Sequence, residues 1–103
     1  MKICVLYLTC ANNREAKKIS ERLLSEKLVF CIKRFPVSSS FLWKGKIDKA
    51  YEVLLIMDSI EENFERVRIE VAKIHSYDTF VLFSTPVSQT TEDVKKWVKK
   101  ELN

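Results

Sequence analysis

Val53-Leu54-Leu55-Ile56-Met57 carries no polar residue at any position. The run is too short for a buried helix and rich in branched side chains, so it reads as a strand. A strand with one wet face alternates apolar and polar residues, because successive side chains point to opposite sides of the sheet. An unbroken run means that both sides are covered. Ile3-Cys4-Val5-Leu6-Tyr7-Leu8 and Phe80-Val81-Leu82-Phe83 have the same character. The remaining sequence offers three helical stretches, enough for one face of a sheet and not two. The missing cover is expected from another copy of the chain.

Working outward, the first strand is predicted over about Lys2–Thr9. A helix follows, capped by an Asn of Ala11-Asn12-Asn13 and running to about Lys27, with Ala16, Ile19, Leu23, Leu24 and Leu28 on its apolar side. Val29-Phe30-Cys31-Ile32 opens a second strand that Pro36 is expected to break or bend, and strand character resumes through Ser39, Phe41 and Trp43. Gly45, the only glycine in 103 residues, marks a hairpin turn with a residue at positive φ. The third strand is predicted over Ile47–Ser59. Ser59-Ile60-Glu61-Glu62 matches a capping box for a second helix, with Phe64, Val67, Val71 and Ile74 inward, ending near His75. A fourth strand is predicted over about Asp78–Val87, stopped by Pro86. Thr90 or Thr91 caps a last helix, with Val94, Trp97, Val98 and Leu102 inward. The reading is a single α+β domain over residues 1–103. It is a ferredoxin-like βαββαβ sandwich with two helices on one side, a long hairpin between the second and third strands, and an added C-terminal helix.

A net charge of +4 is a mild excess that permits anion or nucleic-acid binding without requiring it. No apolar run approaches the ~20 residues of a membrane helix. The N-terminal run is too short for a secretory leader and leads into no small-residue cleavage site, so a cytoplasmic location without a membrane partner is the expectation. Cys4, Cys10 and Cys31 are odd in number and lack CxxC spacing, which argues against a disulfide framework or a zinc knuckle. Free cysteines read as small buried hydrophobes; the competing reading, for Cys10 near a strand end, is a ligand to a soft metal such as Cu(I). There is no Gly-x-Ser-x-Gly, no cysteine paired with a nearby histidine and no phosphate-cradling glycine loop, so no enzymatic activity is expected.

His75 is the sole histidine. At a helix C-terminus its cation is favoured by the macrodipole. Beside Ser76, Tyr77 and Asp78 it also belongs to a polar cluster, and imidazole with carboxylate suits Cu(II) or Zn(II). Further donors would come from Glu52, a cysteine or a neighbouring subunit. Around the turn, Phe41, Trp43 and Tyr51 either fold down on their own domain or reach a neighbour; Trp and Tyr are enriched in interface cores, which favours the neighbour.

Ser40-Phe41-Leu42-Trp43-Lys44-Gly45-Lys46, Tyr51-Glu52-Val53-Leu54-Leu55-Ile56, His75-Ser76-Tyr77-Asp78 and Pro86-Val87 together resemble the CutA divalent-cation tolerance family. There the hairpin reads Ser-x-Tyr-x-Trp-x-Gly-Lys, the third strand opens with Glu, and the second helix ends in His-Pro-Tyr-Glu. The resemblance covers nearly the whole chain. It implies a non-enzymatic homotrimer whose hairpins wrap neighbouring subunits, with a role in tolerance or binding of copper, as Cu(II), or another divalent cation. Carried over by position, Trp43, Glu52, His75, Tyr77 and Asp78 would line an intersubunit cleft; the candidate set is Trp43, Lys46, Glu52 and Tyr77 for the cleft, with His75, Asp78 and Cys10 as metal ligands. Departures from the family pattern are Ser76 in place of Pro, Phe80-Val81 in place of Pro-Glu, and Asp58-Ser59 in place of Lys-Thr. The family's likeness in shape to PII proteins raises a small-anion signalling trimer, using Lys44, Lys46 and Lys49, as an alternative. An RNA-recognition module shares the element order, but Leu54, Leu55 and Ile56 stack bases poorly, so nucleic acid is not an expected partner.

Overall fold

The computed structural model describes residues 1–102. The chain runs β1 (Ile3–Cys10), α1 (Asn13–Ser25), β2 (Cys31–Trp43), β3 (Lys46–Ile60), a 3-10 turn (Glu61–Asn63), α2 (Phe64–Ile74), β4 (Leu82–Pro86) and α3 (Glu92–Glu101). The strands form one antiparallel sheet in the order β2-β3-β1-β4. This is the expected ferredoxin-like α+β arrangement.

The β1–β3 register pairs Leu6 with Met57, Leu8 with Leu55 and Cys10 with Val53. These residues are buried against Ala16, Ile19 and Leu23 of α1 and Val67 and Val71 of α2. The alternate residues Val5, Tyr7, Leu54 and Ile56 point to the other side. They are joined there by Phe35, opposite Leu54, and Phe83, opposite Tyr7. The third helix does not add to the first layer. It covers a corner of this second face, where Val98 and Leu102 pack on Phe30 and Ile60. Trp97 is half-exposed rather than inward, and meets Phe30 edge-on with ring centroids 5.1 Å apart. Beyond that corner the face is open, with Phe83 64% exposed.

Local chemistry moves several boundaries. α1 stops at Ser25 because Lys27 takes a left-handed φ of 57°. The amides of Lys27 and Leu28 then bond back to the carbonyls of Leu24 and Leu23, both at 3.0 Å, which closes the helix and turns Leu28 into the core. Pro36 does not break β2, which is continuous and pairs Pro36 with Val53. β2 is an edge strand, where proline is tolerated. β4 starts at Leu82 rather than Asp78, because residues 78–81 form the loop leaving α2. Ser59 caps no helix. It lies within β3, and its hydroxyl donates to the Leu28 carbonyl at 2.6 Å, beside Asn63 Nδ2 at 3.2 Å. α2 is therefore entered through the 3-10 turn without a side-chain cap. Glu62 instead accepts the Lys2 amide at 3.2 Å.

Trp43 and Lys46 face each other across Lys44 and Gly45, whose φ angles of 52° and 78° make a two-residue turn that follows the strand twist. The hairpin projects as an arm, and the chain measures 45 × 25 × 22 Å along its principal axes. Leu42, Ile47 and Tyr51 are 77%, 75% and 90% exposed, so the arm does not fold back on its own domain.

Ser59→Ala and Asn63→Ala should each cost about 1 kcal/mol in denaturant unfolding. The double variant should cost more than their sum, because it leaves the Leu28 carbonyl with neither donor. Additive losses would show that another donor replaces them.

Candidate metal centre

The C-terminal end of β1, the first turn of α1 and the end of α2 meet at one rim of the sheet. Cys10 closes β1 on the helix-covered face and is fully buried. The chain then turns so that extended Asn12 caps α1, its Oδ1 accepting the Glu15 amide at 2.9 Å. This places Glu15 in the first helical turn, pointing inward and buried. His75 follows α2, and its imidazole is wholly buried, stacked on Phe80 at 5.1 Å. Donor atoms of Cys10, Glu15 and His75 all lie within 4.8 Å of one another.

Hydrogen bonds define the state of each group. His75 Nε2 lies 2.9 Å from the Thr9 carbonyl oxygen, which can only accept, so Nε2 carries the proton. Nδ1 accepts the Tyr77 amide at 3.0 Å, which makes the ring neutral. The 3.7 Å approach of Nδ1 to Glu15 Oε2 is therefore no ion pair. Glu15 Oε2 accepts the Ala11 amide at 2.7 Å and Oε1 the Ser76 amide at 2.6 Å. Burial pushes the Glu15 carboxyl up, but the Ala11 amide and both the hydroxyl and amide of Ser76 outweigh it and hold the group below its ordinary value. The Cys10 thiol is pushed up to about 12, first by burial and then by Glu15 and Glu52. At the edge of the cluster, Tyr77 donates its hydroxyl to Glu52 Oε2 at 2.7 Å, and Glu52 is buried beside Val53, the partner of Cys10.

A thiol, an imidazole and a carboxylate make a mixed donor set compatible with Cu and Zn. The Nε2–H bond to a backbone carbonyl is the support a metal-ligating histidine usually has, with Nδ1 as the ligating atom. The residues present fit a divalent cation.

Of the residues singled out in the sequence, Cys10 and His75 are brought together, against the expectation of no Cys–His pair, because the fold joins two segments far apart in the chain; Glu52 and Tyr77 adjoin them. Asp78 is exposed in the loop and stands outside the cluster. Trp43 and Lys46 lie at the arm tip, six strand residues from Glu52, about 20 Å away within one chain. Glu15 was absent from the expected set. Its signal was the Asn12-x-x-Glu15 spacing of a capping box, which fixes the glutamate in the first turn next to Cys10.

Fold and cluster together define a ferredoxin-like protein with a buried, metal-compatible set of donors at the sheet rim. Residues 4–101 match the model of the CutA1 divalent ion tolerance protein family, and the chain belongs to that family. It is 37% identical over 93 residues to the divalent-cation tolerance protein CutA of Archaeoglobus fulgidus, covering 90% of this chain and 91% of that one. The solved structure described as the periplasmic divalent cation tolerance protein CutA from A. fulgidus superposes with a TM-score of 0.95 at 34% identity, over 98% of this chain and 99% of that one. CutA1 from Oryza sativa also gives 0.95, at 26% identity, over 100% of this chain and 95% of its own.

The Tyr77 phenol is pushed up to about 12, by burial first and then by its bond to Glu52. A raised value means that the neutral form is favoured in the fold. Its stabilisation is complete below the ordinary tyrosine range near 10 and is lost as pH rises toward 12. Ultraviolet titration should show a tyrosinate phase near 12 that disappears in Tyr77→Phe; a profile unchanged by the substitution would contradict the Tyr77–Glu52 bond.

Proposed function

We propose that this protein binds a divalent metal cation, with copper the leading candidate, through Cys10, Glu15 and His75, and that it acts as a homotrimer in metal tolerance. The supporting observation is the convergence of three different donor types, from three separate segments, in one buried cluster. Cys10 would supply sulfur, His75 its Nδ1 lone pair and Glu15 a carboxylate oxygen.

Binding fits this cluster better than catalysis. With its thiol pushed up to about 12, Cys10 is protonated at neutral pH and is a poor nucleophile. A cation that displaces the proton turns the same group into a ligand. The trimer reading is supported by the open apolar sheet face and by the projecting arm. Arms that wrap neighbouring subunits would carry Trp43 and Lys46 from one copy toward the Glu52–Tyr77 rim of the next, the cleft the sequence resemblance implies. The compartment we propose is a reducing one such as the cytoplasm, on the argument of the three free thiols Cys4, Cys10 and Cys31.

Titration with Cu(II) should show saturable binding that weakens about tenfold or more in His75→Ala. Equal curves for the two proteins would remove His75 from the site. Light scattering on a chromatographed sample should give three times the 12.1 kDa chain mass at micromolar concentration; a single-chain mass would rule the trimer out.

A further inference from the structure

The turn after α2 offers two backbone donors to the cluster, and they act in opposite senses. The Tyr77 amide occupies the one lone pair of His75 Nδ1, so it competes with any cation there. The Ser76 amide goes to Glu15 Oε1. A carboxylate oxygen has two lone pairs, so Glu15 can accept that bond and hold a cation at once. We propose that Ser76 is a positioning residue of the cation site, which through its backbone amide holds the Glu15 carboxylate against His75. This rests on the reading of Cys10, Glu15 and His75 as the site.

Glutamate is a flexible side chain, and ordering it costs rotamer freedom. The Ala11 amide comes from the residue next to Cys10, only four positions before Glu15, and ties Oε2 to the start of α1. The Ser76 amide arrives from 61 residues away and ties the other oxygen to the end of α2, where His75 sits. Two amides from different segments thus set both the position and the orientation of the carboxylate. No other described residue donates to Oε1. The ligand and its support are linked across two helices.

That donor exists only because residue 76 is not proline. Proline at this place would have no N–H to give. His75 is extended, with φ −61° and ψ 136°, a conformation compatible with proline at the next position. Ser76→Pro removes the amide and the hydroxyl together and sets a ring carbon where the N–H now points at Glu15 Oε1, whereas Ser76→Ala keeps the amide and removes the hydroxyl alone.

The test uses Co(II), redox-inert toward the thiol and coloured when thiolate-bound, titrated into the full chain. Ser76→Pro should weaken binding about tenfold, the size of effect seen when outer partners of metal ligands are removed, with the thiolate charge-transfer band retained. Ser76→Ala, which loses the hydroxyl but keeps the amide, should weaken binding clearly less than Ser76→Pro. Glu15→Gln should weaken binding, and adding Ser76→Pro to it should have no further effect, because Ser76 acts through Glu15. The proposal is overturned if Ser76→Pro binds like the wild type, or loses as much beside Glu15→Gln as alone. If Glu15→Gln binds Co(II) as tightly as the wild type, the site reading fails before Ser76 is in question. Should Ser76→Pro not fold, the wild-type chain decides. A Ser76 amide proton that stays protected from exchange once Zn(II) is bound supports the proposal, and loss of that protection on binding overturns it.

Discussion

The register of β1 against β3 sets the terms for everything else in this molecule. Pairing Leu6 with Met57 and Leu8 with Leu55 sends one set of side chains beneath α1 and α2. The pleat then obliges Val5, Tyr7, Leu54 and Ile56 to face the other way. Those residues are also apolar, and α3 reaches only the corner around Ile3, Cys31 and Ile60. A sheet of this kind leaves water against a large apolar surface unless something else lies on it, and exposed apolar patches of that sort mark interaction sites. Lys33 and Asp58, paired at 3.0 Å, put charge on this face beside Cys31, close to the part that α3 covers.

The same register builds the donor cluster. Cys10 is the last helix-facing residue of β1, so its sulfur arrives where α1 begins and α2 ends. Asn12 starts the helix abruptly enough to put Glu15 one turn away and facing inward. Phe80 stacks on the buried imidazole and keeps it in place. Both His75 nitrogens and both Glu15 oxygens are held by backbone groups, from Thr9, Ala11, Ser76 and Tyr77. Main-chain partners are fixed by the fold, and a cluster satisfied in this way is preorganised. Its cost is competition at Nδ1, which an incoming cation must win from the Tyr77 amide.

Most of the architecture was legible because hydrophobic period carries it. The apolar runs marked β1 and β3, Gly45 marked the turn, and helical spacing marked all three helices. The errors came where one side chain had two possible partners. Ser59 looked like a helix cap because a hydroxyl followed by Glu62 satisfies that pattern; the buried carbonyl of Leu28, thirty-one residues earlier, claimed it instead. Pro36 read as a break because its place at a sheet edge depends on strand order, which local sequence does not contain. At the site, Cys10 and His75 stood out by rarity. Glu15 did not, since one glutamate on a charged helix looks like any other until the cap shows which way it points. Asp78 drew attention by lying near His75 in sequence, but the loop turns it to solvent.

Hydroxyl-radical footprinting of the intact protein at micromolar concentration, read residue by residue by mass spectrometry, bears most directly on the uncovered sheet. Phe83 and Phe35 are accessible on a lone chain. If three copies close over this face, both should be oxidised as slowly as residues sealed under α1 and α2, such as Leu6 and Leu8. Rapid oxidation of Phe83, at the rate of a freely exposed phenylalanine, would show the face open to water and contradict the account.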